Sequence, residues 1–155
     1  MYRGHPNPYA RARPDLPWPP VEDDPKSRLI PKKLWDLKQV KVIAQAQLDH
    51  ENENLILAIT KDCVRDIQRL ELTAPDLANY ILQLDDHHYD ESLWCQKSMQ
   101  EGVKIDAAAI WCPCDSYVLP VQEKSDSGIR VCVEYYIKFC LSPANKSVLL
   151  VSFHL

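Results

Sequence analysis

Between Pro31 and Leu48 the apolar residues recur every three or four positions. Leu34, Leu37, Val40, Ile43 and Ala44 make one stripe, and Pro31 suits a first helical turn. "NLILAI", Asn54 to Ile59, is short, apolar and strand-like. Thr60 then caps a second helix, with Cys63, Val64, Ile67 and Leu70 on one face. Thr73 caps a third, with Asp76 in the capping-box position and Leu77, Tyr80, Ile81 and Leu84 as its stripe. "DDHHYDE" is a polar break. Past residue 91 the period falls toward two, which predicts strands over 92–99, 108–119, 129–141 and 147–154, with "KSDSG" and "SPANK" as turns. Helices first and strands afterwards predict an α+β fold, its N-terminal helices packed on one face of a C-terminal, mostly antiparallel sheet.

Eight of the twelve prolines lie at or before Pro31, and proline withholds the N–H that a helix or sheet ladder needs. The expected organisation is therefore a disordered, proline-rich arm over 1–30 and a single α+β domain over 31–155. The arm reads as a solvated tail, or as a segment that docks on a partner through Trp18 and its flanking prolines. Composition narrows the function. A formal charge of -4 lacks the basic excess of nonspecific nucleic-acid binders, and no direct DNA contact is expected. Contact with any nucleic acid must then rest on local geometry. No apolar run is long enough to span a bilayer, and the N-terminus lacks the apolar core of a secretory signal. A cytoplasmic protein with no membrane contact is expected, its six cysteines reduced and mostly acting as small hydrophobes.

The strand "IRVCVEYYIKF" carries the candidate chemistry. Alternation sets Val131, Val133, Tyr135, Ile137 and Phe139 on a core side, and Arg130, Cys132, Glu134, Tyr136 and Lys138 on the other. In "VLLVSFHL" the same rule groups Leu149, Val151 and Phe153 against Leu150, Ser152 and His154. If these strands pair, Tyr136, Lys138 and His154 share one face. By alternation alone that is a solvated sheet face. The same three side chains also suit metal-free cleavage of RNA through its own 2′-hydroxyl. That reaction needs a base, an acid for the leaving 5′ oxygen, and cations for the crowded phosphorane. In "LWCQKSM" a single lysine, Lys97, stands among apolar and small residues, either as an edge-strand guard or facing a phosphate. No metal or cofactor is expected. "CPC" lacks the C-x₂-C spacing of structural zinc, and there is neither a Gly-rich phosphate loop nor an H-E-x-x-H.

Taken in order, "WCQKSM", "AAAIWCPCDSY", "YYIKF" and "LLVSFHL" resemble the MqsR family of bacterial toxins, mRNA interferases with a RelE-like fold. The likeness spans roughly 31–155. It implies the toxin of a type II toxin–antitoxin system, a metal-independent endoribonuclease acting on mRNA and neutralised by a cognate antitoxin. The lysine of the family's "KSM" matches Lys97, and its strand tyrosine matches Tyr136, followed by Lys138. The family's C-terminal lysine is replaced by His154, which keeps a possible cation and adds a proton carrier. The family's glutamine after "IW" is replaced by Cys112, whose thiol cannot reproduce an amide's paired hydrogen bonds. Lys97, Tyr136 and His154 are thus the expected catalytic residues. Lys138, Cys112 and Arg130 are the expected substrate contacts. The alternative is a non-catalytic protein-interaction domain on the same scaffold.

Overall fold

The computed structural model describes residues 13–16, 28–96 and 110–155. Its elements are β1 (Leu29–Ile30), α1 (Leu37–Asp49), β2 (Ile56–Ala58), α2 (Lys61–Arg69), α3 (Ala74–Leu82), a 3₁₀ turn (Asp86–His88), β3 (Tyr89–Gln96), β4 (Trp111–Lys124), β5 (Arg130–Leu141) and β6 (Val148–His154). The fold is α+β. Its six strands form one open, mixed sheet in the order β1-β3-β4-β5-β6-β2. All neighbours are antiparallel except β2, which runs parallel to β6.

The helices start where their caps place them. Thr60 Oγ accepts from Cys63 N, and Thr73 closes a full capping box with Asp76. The first helix begins later than its stripe suggests, at Leu37, with Asp36 as N-cap. Leu34 and Trp35 are buried but not helical, because their backbone N–H groups turn toward the Asp115 carboxylate at 2.9–3.2 Å. Val64, expected in a buried stripe, is instead 40% exposed, and Cys63 is the buried residue of α2. That helix ends through Glu71, which sits at φ 55, a left-handed conformation that favours glycine. Glu71→Gly is expected to stabilise the fold by about 0.5 kcal/mol, the relieved strain exceeding the added unfolded-chain entropy. Urea denaturation checks this, and an unchanged or lower midpoint contradicts it.

Two corrections concern the strands. Leu29 and Ile30 belong to the sheet, opposite Leu93 and Ser92, so the domain begins before residue 31. Part of the proline-rich stretch is also tied down. Arg13 donates to the Leu34 carbonyl and stacks over Trp35, and Asp15 bridges Arg13 and Lys32. Strand β4 runs on through Pro120 to Lys124, past its expected end at 119. Proline normally interrupts a central strand, yet each proline here lies where β4 has one neighbour. The β3 ladder stops at Tyr117, before Pro120, and the β5 ladder begins at Asp115, after Pro113.

Strand β6 also departs from strict alternation. Lys138 faces Ser152, but Phe139 faces Leu150, leaving Val151 as an extra residue. This bulge puts Phe153, Leu150 and Val148, all fully buried, on the core face with Ile137, Phe139 and Leu141. Leu149 pairs with Cys140 on the opposite face, the reverse of the simple period-two grouping. On the core side Tyr80 of α3 packs its ring on Tyr135 and Phe153, at 4.8 and 5.9 Å. Both phenols donate to Glu123 Oε1, which ties the β4–β5 hairpin to α3.

Candidate functional site

Register brings two of the expected catalytic residues together. Tyr136 on β5 is directly opposite His154 on β6, and their rings stack with centroids 5.4 Å apart at 18°. One rung further, Lys138 faces Ser152 on the same side of the sheet. Tyr136 is 38% exposed, His154 is exposed and Lys138 is half-buried, so the phenol and imidazole open to solvent beside an ammonium group. Because the bulge falls after this rung, Tyr136, Lys138 and His154 keep the shared face that simple alternation expects.

The imidazole is oriented by its own chain. His154 Nδ1 lies 3.0 Å from the Leu155 carbonyl oxygen. A proton on Nδ1 donated to that oxygen leaves Nε2 as the acceptor in the neutral ring, the form a general base needs. The phenol of Tyr136 has only a long contact, 3.5 Å to Glu134 Oε2. Beside His154 a cavity of 210 Å³ is lined by Asp66, Arg69, Leu70 and Leu155. Arg69 and Asp66 come from α2, nearly ninety residues upstream, and no local pattern in the sequence marks them as neighbours of His154. Their helical spacing alone places them on one side of α2.

The other expected contacts separate from this group. Lys97 lies outside the described residues. Cys112 is fully buried, opposite Cys95, and so is not positioned to touch a substrate as the family's glutamine would. Arg130 pairs with Lys124 at the far end of β5. Six residues from Tyr136 along an extended strand is roughly 20 Å, which removes Arg130 from the tyrosine–histidine pair.

Two further clusters are structural. A 570 Å³ cavity at the start of α1 carries Lys33, Lys38 and Lys41, but Lys33 is paired with Asp86, and Lys41 lies 3.8 Å from Asp85. The ammonium of Lys33 also sits over the Tyr89 and Tyr117 rings. In the polar break the ligand-type atoms of Asp85, His87 and His88 lie within 4.8 Å of one another. There His88 Nδ1 already accepts from Asp85 N at 2.9 Å, which fixes the ring as a cap for the 3₁₀ turn. The His88 imidazole is held below its ordinary pKa, first by burial and then by the neighbouring His87.

No membrane-length apolar helix exists among the described residues. Compared with known proteins, the chain matches no family model, no curated protein and no solved structure.

Proposed function

We propose that this chain is an MqsR-like, RelE-fold endoribonuclease that cuts single-stranded mRNA without a metal, acts in the cytoplasm as a growth-inhibiting toxin, and is neutralised by a cognate antitoxin. The observation that carries the reading is the exposed Tyr136–His154 stack with Lys138 one rung away. His154 Nε2 takes the proton of a ribose 2′-hydroxyl, and the freed oxygen attacks the adjacent phosphorus. Lys138 offsets the growing charge on the phosphorane. Tyr136, through its phenolic O–H, donates to the departing 5′ oxygen. The products are a 2′,3′-cyclic phosphate and a 5′-hydroxyl. The family resemblance adds Lys97 to the phosphate contacts.

The test is 5′-end mapping of transcripts after brief induction, wild type against His154→Ala. New 5′-hydroxyl ends are expected in the wild type and should vanish in the variant. Purified protein that leaves synthetic mRNA uncut would sink the reading.

A protein-interaction role is the second reading. It is favoured by the buried Cys112 and by an apolar cleft of 520 Å³ along β2 and α2, where Leu57 and Val64 stand exposed. Growth inhibition that survives Lys97→Ala, Tyr136→Ala and His154→Ala combined would select it.

A further inference from the structure

The polar break between α3 and β3 gathers three metal-ligand side chains into four consecutive residues. One ligand atom each from Asp85, His87 and His88 lie within 4.8 Å of one another, and the two imidazole rings approach to 4.0 Å between centroids. Asp85 and His87 are exposed and His88 is half-buried, so an ion can reach all three from solvent. The backbone that carries them is held at both ends. Leu84, just before Asp85, is fully buried, and Tyr89, just after His88, packs edge-on against Tyr117 with ring centroids 5.8 Å apart. Asp86 is paired with Lys33 and is not a member of the cluster.

We propose that Asp85, His87 and His88 form a three-ligand zinc site, with water in the fourth position, that ties the end of α3 to the start of β3. Two imidazoles and one carboxylate suit a divalent first-row ion such as zinc, whereas calcium and magnesium take oxygen ligands. Zinc holds nitrogen and oxygen ligands at about 2.0–2.2 Å, which sets them about 3.4 Å apart in a tetrahedron. The three atoms therefore need to close by no more than about 1.5 Å, a small rotation for exposed side chains.

The metal and the cap are alternatives at His88. Its Nδ1 lone pair accepts from Asp85 N at 2.9 Å, so the neutral ring carries its proton on Nε2. Coordination through Nε2 moves that proton to Nδ1, where it faces the Asp85 N–H and the hydrogen bond is lost. Coordination through Nδ1 uses the same lone pair directly. Either way the ion replaces the cap, and the environment of the Asp85 amide changes. A neighbouring cation opposes binding: Lys41 Nζ lies 3.8 Å from Asp85 Oδ1 and competes for the same carboxylate. The turn leads into β3, and β4 and β5 separate that strand from β6. The site is therefore distinct from the Tyr136–His154 pair, and the metal-free cleavage proposed above does not use it.

The experiment titrates the full chain, its thiols kept reduced, with zinc chloride by calorimetry and with cobalt(II) by visible spectroscopy. One ion per chain is expected, with a cobalt spectrum of nitrogen and oxygen ligands, no thiolate charge-transfer band, and a shifted Asp85 amide resonance. His87→Ala, which leaves the cap in place, should weaken binding by at least about tenfold, the least that loss of a mere outer partner costs. Lys41→Met should tighten it by about two- to fivefold, the worth of an exposed ion pair. His50→Ala should change nothing, and circular dichroism checks that each variant is folded. No binding of either ion, binding that survives His87→Ala and Asp85→Ala combined, or a cobalt–thiolate band overturns the proposal. None of these results depends on whether the protein cuts RNA.

Discussion

Asp115→Ala is expected to lower the unfolding free energy by on the order of 3 kcal/mol. The carboxylate is fully buried on β4 and collects three groups from two other segments. Its Oδ1 accepts from Leu34 N at 3.0 Å and from Ser92 Oγ at 2.6 Å, and its Oδ2 accepts from Trp35 N at 2.9 Å. Alanine leaves the Leu34 and Trp35 N–H groups buried without an acceptor, each costing about 1–3 kcal/mol, less what is regained by removing a buried charge, while Ser92 Oγ keeps its 2.6 Å contact with Tyr89 Oη. Asp115→Asn does not rescue the site, because its amide nitrogen must face a donor. Burial pushes the Asp115 carboxyl above its ordinary 3.8, while the Ser92, Trp35 and Leu34 donors pull it down. With the folded value raised, the native state binds the proton more tightly than the unfolded chain does. The stability this group adds is present at acid pH and is lost as pH rises through the folded value. The Asn variant lacks that dependence, so its penalty should be larger at pH 4 than at pH 7. Urea titrations at both values, followed by tryptophan fluorescence, check the size and the sign. A change under 1 kcal/mol in the alanine variant would show that Leu34 and Trp35 are not anchored there.

His154→Ala is expected to reduce the proposed mRNA cleavage by about 10²–10⁴-fold, the usual worth of a positioned proton carrier. Stability should stay within about 0.5 kcal/mol, since the ring is exposed and its contacts are the Tyr136 stack and the neighbouring carbonyl. This split between activity and stability separates a catalytic role from a packing role. His154→Lys supplies the cation that the resembled toxins carry at this place, without a neutral base, so it should recover only a small part of the rate. Full recovery by lysine would instead assign the side chain to charge stabilisation. Single-turnover cleavage of a short RNA, beside a thermal melt of each variant, gives both readings. An alanine variant that cuts at the wild-type rate would remove His154 from the mechanism.

Much of this architecture is local and therefore legible from the chain alone. The caps at Thr60 and Thr73 need residues only three positions away, and the stripes that follow need one helical turn. The shift from period 3.6 to period two, and the turns at "KSDSG" and "SPANK", set the helices-then-strands order in the same way. Gly128 at φ 82 and Asn145 at φ 56 occupy the left-handed turn positions that suit them. Tyr136 and His154 could be paired in advance because a short loop joins their strands, which leaves few registers open.

What needed tertiary structure depends on residues far apart in sequence. Leu29–Ile30 become a strand only because β3 offers an edge, and β2 starts beside β6 where Leu55 is held between Gln47 Oε1, which accepts from its N–H, and Val148 N, which donates to its carbonyl. The Val151 bulge reverses the faces of Leu149 and Leu150, and no period within β6 announces it. The burial of Cys112, the separation of Arg130 from the site, and the approach of Asp66 and Arg69 to His154 all follow from register and packing between distant segments. Hydrophobic period and capping are short-range and act within a single element. Which face meets which, and which charge ends beside which ring, is decided by contacts that exist only once the sheet has assembled.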